Sequence, residues 1–184
     1  MSPKILVTYA SIKGSTTGVA RTIGEQLRRD GTQVDILPIN LVMGVGQYTA
    51  VVVGSAIYGG AWLEAAAEFV ETYRDALSHV PVAYFVVCLS TCEETAEAEA
   101  RSYLMPVLEA VPEIHPVDTG VFAGAFDAKK WPLTILLSLK ALGKLPPEGD
   151  FRNWKAIRRW TEQIRPALLM PAKASNGRVR AAEF

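Results

Sequence analysis

The sequence predicts an α/β domain: a parallel sheet with helices on both faces, three layers deep. Three observations lead there. Apolar, β-branched runs alternate along the chain with segments of helical spacing, as a sheet covered on both sides requires. The 184 residues are enough for one domain with one sizeable core. At 49% hydrophobic and 21% charged, the composition is that of a globular chain.

The elements follow in order. Residues 4–9 (KILVTY) read as a first buried strand, followed by a polar turn. In 16–30, Val19, Ile23 and Leu27 recur at helical spacing, and Gly31 is a natural stop. Residues 34–39 are a second strand, and 50–54 (AVVVG) a third. Residues 63–77 are helical, with Glu64, Glu68, Glu71 and Asp75 on the wet side. Residues 82–89 (VAYFVVCL) form a fourth strand. Residues 93–111 are helical again, with Pro106 placed to bend or break the helix. Residues 117–123 are a fifth strand. Residues 153–170 close the domain as a helix, with Asn153 as N-cap and an inward stripe of Trp154, Ile157, Thr161, Ile164 and Leu168.

The expected domain is 1–172, with 173–184 as a polar tail. Residues 126–152 are far too long for a connection between a strand and a helix, and read as an insertion with its own purpose. Charge is unevenly spread. Residues 1–128 carry 7 Lys/Arg and 15 Asp/Glu (−8), whereas 129–184 carry 12 and 4 (+8). A basic end suits an anionic partner or membrane surface, and solvated helix faces give the same pattern. Two cysteines, Cys88 and Cys92, are too few for a disulfide scaffold and do not make a C-x-x-C pair; they read as a buried strand thiol and a loop thiol. Two histidines leave no basis for a histidine-rich metal site. No leader pattern precedes the first strand and no apolar stretch has the ~20 residues a bilayer span needs, so a cytoplasmic location is expected.

The strongest chemical feature is the loop 9–16 (YASIKGST), directly after strand one and before helix one. A phosphate monoester needs several donors at once, and a hydroxyl-rich turn at a helix N-terminus supplies them. Ser11, Ser15 and Thr16 offer hydroxyls, while Gly14 lets the backbone come close. The same residues also make an ordinary turn in which Ser15 or Thr16 caps the helix. The loop matches neither the Walker A pattern nor G-x-G-x-x-G, which argues against triphosphates and dinucleotides.

With Ser11, Gly14 and Thr16 at the three fixed places of S/T-x-x-G-x-T, the chain resembles the flavodoxin family, over 4–169 and in element order. The resemblance implies five parallel strands in the order 2-1-3-4-5 and one non-covalent FMN at the switch point beyond the strand ends. It implies FMN contacts from Ser11, Ile12, Lys13, Gly14, Ser15 and Thr16 around the phosphate. Ala56, Ile57, Tyr58 and Gly59 would lie beside the isoalloxazine, with Tyr58 stacking on it and Trp62 packing beneath the loop. A peptide in this loop would turn its carbonyl toward flavin N5. Leu89, Ser90 and Thr91 would meet the pyrimidine edge. One departure stands out: no second stacking aromatic occurs between Leu89 and Ser102, which leaves one flavin face open or covered by something else.

Within the superfamily, 54–59 (GSAIYG), 121–125 (VFAGA), the insertion and 149–154 (GDFRNW) are most similar to the menaquinone-dependent protoporphyrinogen IX dehydrogenase branch. The insertion departs from that branch in having fewer aromatics and arginines. Its segment 131–142, apolar on most sides with lysines near the ends, reads as a helix that is core, interface, membrane anchor or quinone-docking wall. The similarity implies an FMN-dependent oxidoreductase linked to a quinone, the alternative being a soluble electron-transfer carrier. The expected partners are a redox partner protein or a quinone, with peripheral membrane contact through 129–144 and no nucleic acid. No side chain need act as acid, base or nucleophile, because the redox chemistry would belong to FMN.

Overall fold

Apolar alternation along the strands divides the core in two, and the helices follow that division. In the computed structural model, which describes residues 3–89, 98 and 101–170, the main sheet contains β1 (Lys4–Ala10), β2 (Gln33–Pro38), β3 (Ala50–Tyr58), β5 (Val82–Cys88) and β6 (Thr119–Ala123). All are parallel, in the order β2-β1-β3-β5-β6. A two-residue strand β4 (Ala61–Trp62) adds an antiparallel hairpin to the end of β3. Discounting it, the order is the 2-1-3-4-5 that the resemblance implies.

Successive residues of one strand point to opposite faces. Ile5, Val7, Val52, Phe85 and Val87 join Val19, Ile23 and Leu27 of α1 (Ser15–Leu27) and Ile157, Trp160, Ile164 and Leu168 of the last helix. Leu6, Val51, Val53, Tyr84 and Val86 pack on α2 (Glu64–Thr72), α3 (Arg74–Ser78) and α4 (Met105–Ala110) through Phe69, Val70, Leu77 and Val107. The sheet is therefore doubly wound. β1 connects to β2 on one side and β3 lies on its other side, so a crevice opens beyond the ends of β1 and β3.

Several boundaries differ from the sequence expectations. β3 runs four residues past Gly54 to Tyr58: Ser55 pairs with β1 and β5 and Ala56 with β5, while Ile57 and Tyr58 pair with Trp62 and Ala61. The helix expected over 63–77 is broken at Tyr73, whose ψ of 14° lies outside the helical range. Pro106 stands in the first turn of α4, where a missing N–H costs nothing; the earlier part of 93–111 and the tail after 170 lie largely outside the described residues.

The insertion opens with a second small sheet, β7 (Ala125–Phe126) paired with β8 (Gly149–Asp150). Between them sits α5 (Leu133–Ala141), which begins two residues later than expected because Trp131 and Pro132 are extended. No residue of α5 is buried, and Leu133 and Leu137 are 69% and 57% exposed, so it is not core. The closing helix, α6 (Trp154–Leu169), is capped by Asn153, whose side chain accepts from the Ala156 N–H at 3.0 Å. Its predicted stripe is buried except for Trp154, and Trp160 joins it, its indole N–H donating to Asp118 at 3.1 Å.

Candidate functional site

The loop between β1 and α1 gathers groups that suit an anion. Gly14 is in the left-handed region (φ +92°), which an L side chain would strain, and its N–H donates to Ser11 Oγ at 3.1 Å. That fixes the turn and leaves the Ser11 hydroxyl proton available. No side chain caps α1, so neither Ser15 nor Thr16 has the alternative capping role. Thr16 is fully buried, and its hydroxyl has no hydrogen-bond partner among the described residues. Leaving a buried hydroxyl unpaired costs roughly 1–3 kcal/mol. A helix N-terminus, free backbone N–H groups and hydroxyls with a proton to give are the donor set a phosphate monoester needs.

Beside this loop is a niche of about 160 Å³ lined by Lys13, Gly14, Ser15, Ala125, Asp127, Lys130 and Arg152. Its cations come largely from the insertion. Arg152 is held by two hydrogen bonds to Asp150 (2.7 and 2.6 Å) and lies 4.5 Å over Trp154. The guanidinium holds the Asp150 carboxyl below its usual range. Arg152 also reaches the Ser15 carbonyl at 3.4 Å, and a Cβ on Gly18 would come within 2.4 Å of it. The insertion thus packs directly against the start of α1.

The second part of the site is an aromatic slot. Ser55, fully buried, donates to the Ala56 carbonyl at 2.8 Å and accepts from the Leu63 N–H at 3.0 Å, tying the two sides of the β3–β4 hairpin. The hairpin turns on Gly59 and Gly60, both with positive φ (63° and 80°), as the tightest turns between antiparallel strands require. This geometry holds Tyr58 half in solvent, 53% exposed. Its ring lies nearly parallel to that of Trp131, with 6.2 Å between centroids and 15° between planes. The cavity here is lined by Ile12, Lys13 and Ser15, by Ala56, Ile57 and Tyr58, by Val87, Cys88 and Leu89, and by Gly124, Ala125 and Trp131.

The structure brings Ile12, Lys13, Gly14, Ser15, Ala56, Ile57, Tyr58 and Leu89 to these two adjoining niches, which share Lys13, Ser15 and Ala125; Ser11, Thr16 and Gly59 line neither, and Ser11 borders a separate hollow beside Tyr9 and Asn40. Ser90 and Thr91 lie outside the described residues. Trp62 packs under its loop as expected, 6% exposed and edge-on to Tyr84. Of the two expectations for the side opposite Tyr58, open or covered by something else, the second describes this slot: Trp131 faces Tyr58. Trp131 was expected to start the apolar helix; the following proline holds it extended and outside α5. Gly124 was also passed over as a lining residue. A Cβ there would sit 3.3 Å from Val87 and 3.6 Å from Ser15 Oγ. The aromatic-proline pair and the cluster of basic residues after 128 were the only sequence signals for this half of the site.

Comparison with known proteins agrees with this fold. An archaeal flavodoxin superposes with a TM-score of 0.58 at 17% identity, covering 90% of this chain and 98% of that one. Flavodoxin 1 from Bacillus cereus gives 0.59 at 14% identity, covering 91% and 99%. In sequence, the chain is 25% identical over 189 residues to a protoporphyrinogen IX dehydrogenase [quinone] of Leishmania major, covering 95% of this chain and 81% of that protein. The family model described as "Flavodoxin domain" matches residues 6–138. The chain belongs to the flavodoxin domain family.

Proposed function

We propose that this chain binds one FMN without covalent attachment and uses it as an oxidoreductase that passes electrons from an organic donor to a quinone. The observation that carries the cofactor assignment is the continuity of the two niches. A donor-rich loop runs through Lys13 and Ser15 into a cavity bordered by the rings of Tyr58 and Trp131. A mononucleotide with a phosphate at one end and a planar ring at the other matches that sequence of surfaces. Ser11, Gly14, Ser15 and Thr16 would hold the phosphate. Ala56, Ile57, Tyr58, Gly59 and Leu89 would lie along the ring, with Ser90 and Thr91 assigned there by family position. FMN supplies the redox step when bound; the chain binds it, orients it and limits water on its faces. Family membership supports the same cofactor.

The acceptor is argued from α5. It is mostly apolar, with Thr134, Ser138 and Lys140 as its polar residues; none of its residues is buried, and it starts two residues after Trp131. Lys129, Lys130 and Lys144 flank it and Lys140 stands in its last turn, a pattern suited to an apolar acceptor at a surface of anionic headgroups. No helix among the described residues is long and apolar enough to cross a membrane, so contact through 129–144 would be peripheral. The Leishmania relative's name, a quinone-linked dehydrogenase, supports this class of reaction.

A carrier role is the second reading, favoured by the −8 charge of residues 1–128, which suits docking to basic protein partners. The test is anaerobic reduction of the FMN-loaded protein, followed by mixing with a menaquinone analogue or with ferredoxin-type proteins. Protoporphyrinogen IX is tried in parallel as electron donor. Fast turnover between protoporphyrinogen IX and the quinone supports the enzyme. Exchange with protein partners alone would put the carrier in its place.

A further inference from the structure

We infer that Trp131 is the second isoalloxazine-stacking residue, delivered by the insertion and not by the loop after β5. This rests on the proposal that the slot holds FMN. The motivation is a pair of rings with a shared orientation. Tyr58 and Trp131 lie within 15° of parallel, 6.2 Å apart, on one cavity. A flat ring in contact with both would need them about 7 Å apart, two contacts of about 3.5 Å each. At 6.2 Å between centroids the pair is closer than that, so the two rings would part to admit it. Stacked and edge-to-face pairs are comparably favourable, and only the near-parallel arrangement presents two ring faces to one planar guest.

Trp131 is held for that role from several directions. Lys13 places its ammonium 4.9 Å from the indole centroid, and the buried Phe126 lies 6.1 Å away at 33°. The turn that delivers it is fixed as well. Asp127 accepts from the Lys129 N–H at 3.1 Å, Glu148 accepts from the Ala128 N–H at 3.1 Å, and the Trp131 N–H donates to the Ala128 carbonyl at 3.0 Å. Pro132 then stops the ring from being drawn into α5. An exposed surface tryptophan would need none of this. The arrangement also accounts for the missing aromatic in 89–102, because the insertion supplies a ring to the slot instead.

The test uses the full chain with Trp131→Ala, Trp131→Phe and Tyr58→Ala. FMN affinity is read by loss of flavin fluorescence on titration, and the flavin environment by visible circular dichroism of the bound cofactor. Trp131→Ala should weaken FMN binding about tenfold, of the order expected for one stacked ring, and change the flavin dichroism. Trp131→Phe should restore most of both. Thermal unfolding of each variant without FMN separates lost stacking from lost folding. If Trp131→Ala binds FMN as well as or better than the parent, with unchanged dichroism, Trp131 does not stack and the inference is overturned. If the parent itself takes up no FMN, the failure belongs to the cofactor assignment instead.

Discussion

Replacing Thr16 by valine should move stability and cofactor affinity in opposite directions. Valine keeps the β-branched shape and the restricted χ1 of threonine while removing the hydroxyl. Thr16 is fully buried and its Oγ1 has no partner among the described residues, so the native chain carries an unpaired polar atom at the first turn of α1. Relief of part of that roughly 1–3 kcal/mol penalty should stabilise the FMN-free protein by about 1 kcal/mol. For a domain of this size that is about 2–4 °C in Tm. If the hydroxyl instead donates to a phosphate oxygen, losing that charge-assisted bond costs about 1.5–3 kcal/mol, or about 10- to 150-fold in FMN Kd. At FMN 100 times the parent Kd, binding adds about 2.7 kcal/mol to the parent, but only about 0.9 to a variant that binds 30-fold more weakly. The two melting curves should therefore change places: Thr16→Val melts higher without FMN and lower with it. Thermal scans with and without FMN, plus one fluorescence titration, read the whole effect. A variant that is less stable without FMN and unchanged in Kd would refute the reasoning, because the hydroxyl would then have to be satisfied within the protein.

Three further outcomes follow from the surroundings of the site. Gly54→Ala would place a Cβ 1.9 Å from the Phe85 ring in the middle of the sheet; stability measured by urea unfolding should fall by about 3 kcal/mol or more, since packed neighbours cannot yield that far. Asn153→Ala should cost about 1 kcal/mol by removing the cap on α6, with FMN affinity unchanged. Alkaline pH should weaken the β1–β2 edge. Burial, reinforced by a hydrogen bond to Asp35, pushes the buried Tyr48 phenol up to about 12 from 10.0. A raised folded-state pKa means its contribution is complete below pH 10 and is lost as pH rises through 12. Tyr48→Phe should flatten the fall in stability over that window in pH-dependent unfolding.

The strands and the phosphate loop were legible because their signals are local. Branched apolar runs make β1, β3 and β5 readable without knowing their neighbours, and the hydroxyl-glycine turn sits where a strand hands over to a helix. The misplaced boundary of β3 has a tertiary cause. β3 continues past Gly54 by pairing with β1 and β5 and then, at Ile57 and Tyr58, with Trp62 and Ala61, pairings that the spacing of 50–54 does not announce. The break at Tyr73 between α2 and α3 leaves no mark in the helical spacing of 63–77. Trp131 was the costliest error. In 131–142 it reads as the first apolar residue of a helix, whereas its contacts are with Lys13, Tyr58 and Phe126, up to 118 residues away. Arg152 escaped notice for a similar reason, since its meeting with Ser15 joins opposite ends of the chain.

That geometry divides the insertion into two parts, which a deletion can separate. Residues 125–131 and 148–152 are tied to the slot. β7 pairs with β8, the Phe151 N–H donates to the Gly124 carbonyl at 3.1 Å, Trp131 faces Tyr58, and Arg152 packs on the start of α1. Residues 133–146 contain α5 and its exit, and no residue there is buried. Cutting out all of 126–152 should therefore weaken FMN binding, because both Trp131 and Arg152 go with it. Replacing only 133–146 by a short glycine-serine linker should leave FMN affinity close to that of the parent. It should also leave Tm nearly unchanged, since little apolar surface is uncovered when an unburied helix is removed. Quinone reduction and association with anionic vesicles should then fall sharply, while reduction of small water-soluble dyes persists. If the linker variant loses FMN, α5 supports the slot in a way its exposure does not suggest. If it keeps full quinone turnover and vesicle binding, α5 is not the docking face, and the carrier reading gains the ground that the helix now holds.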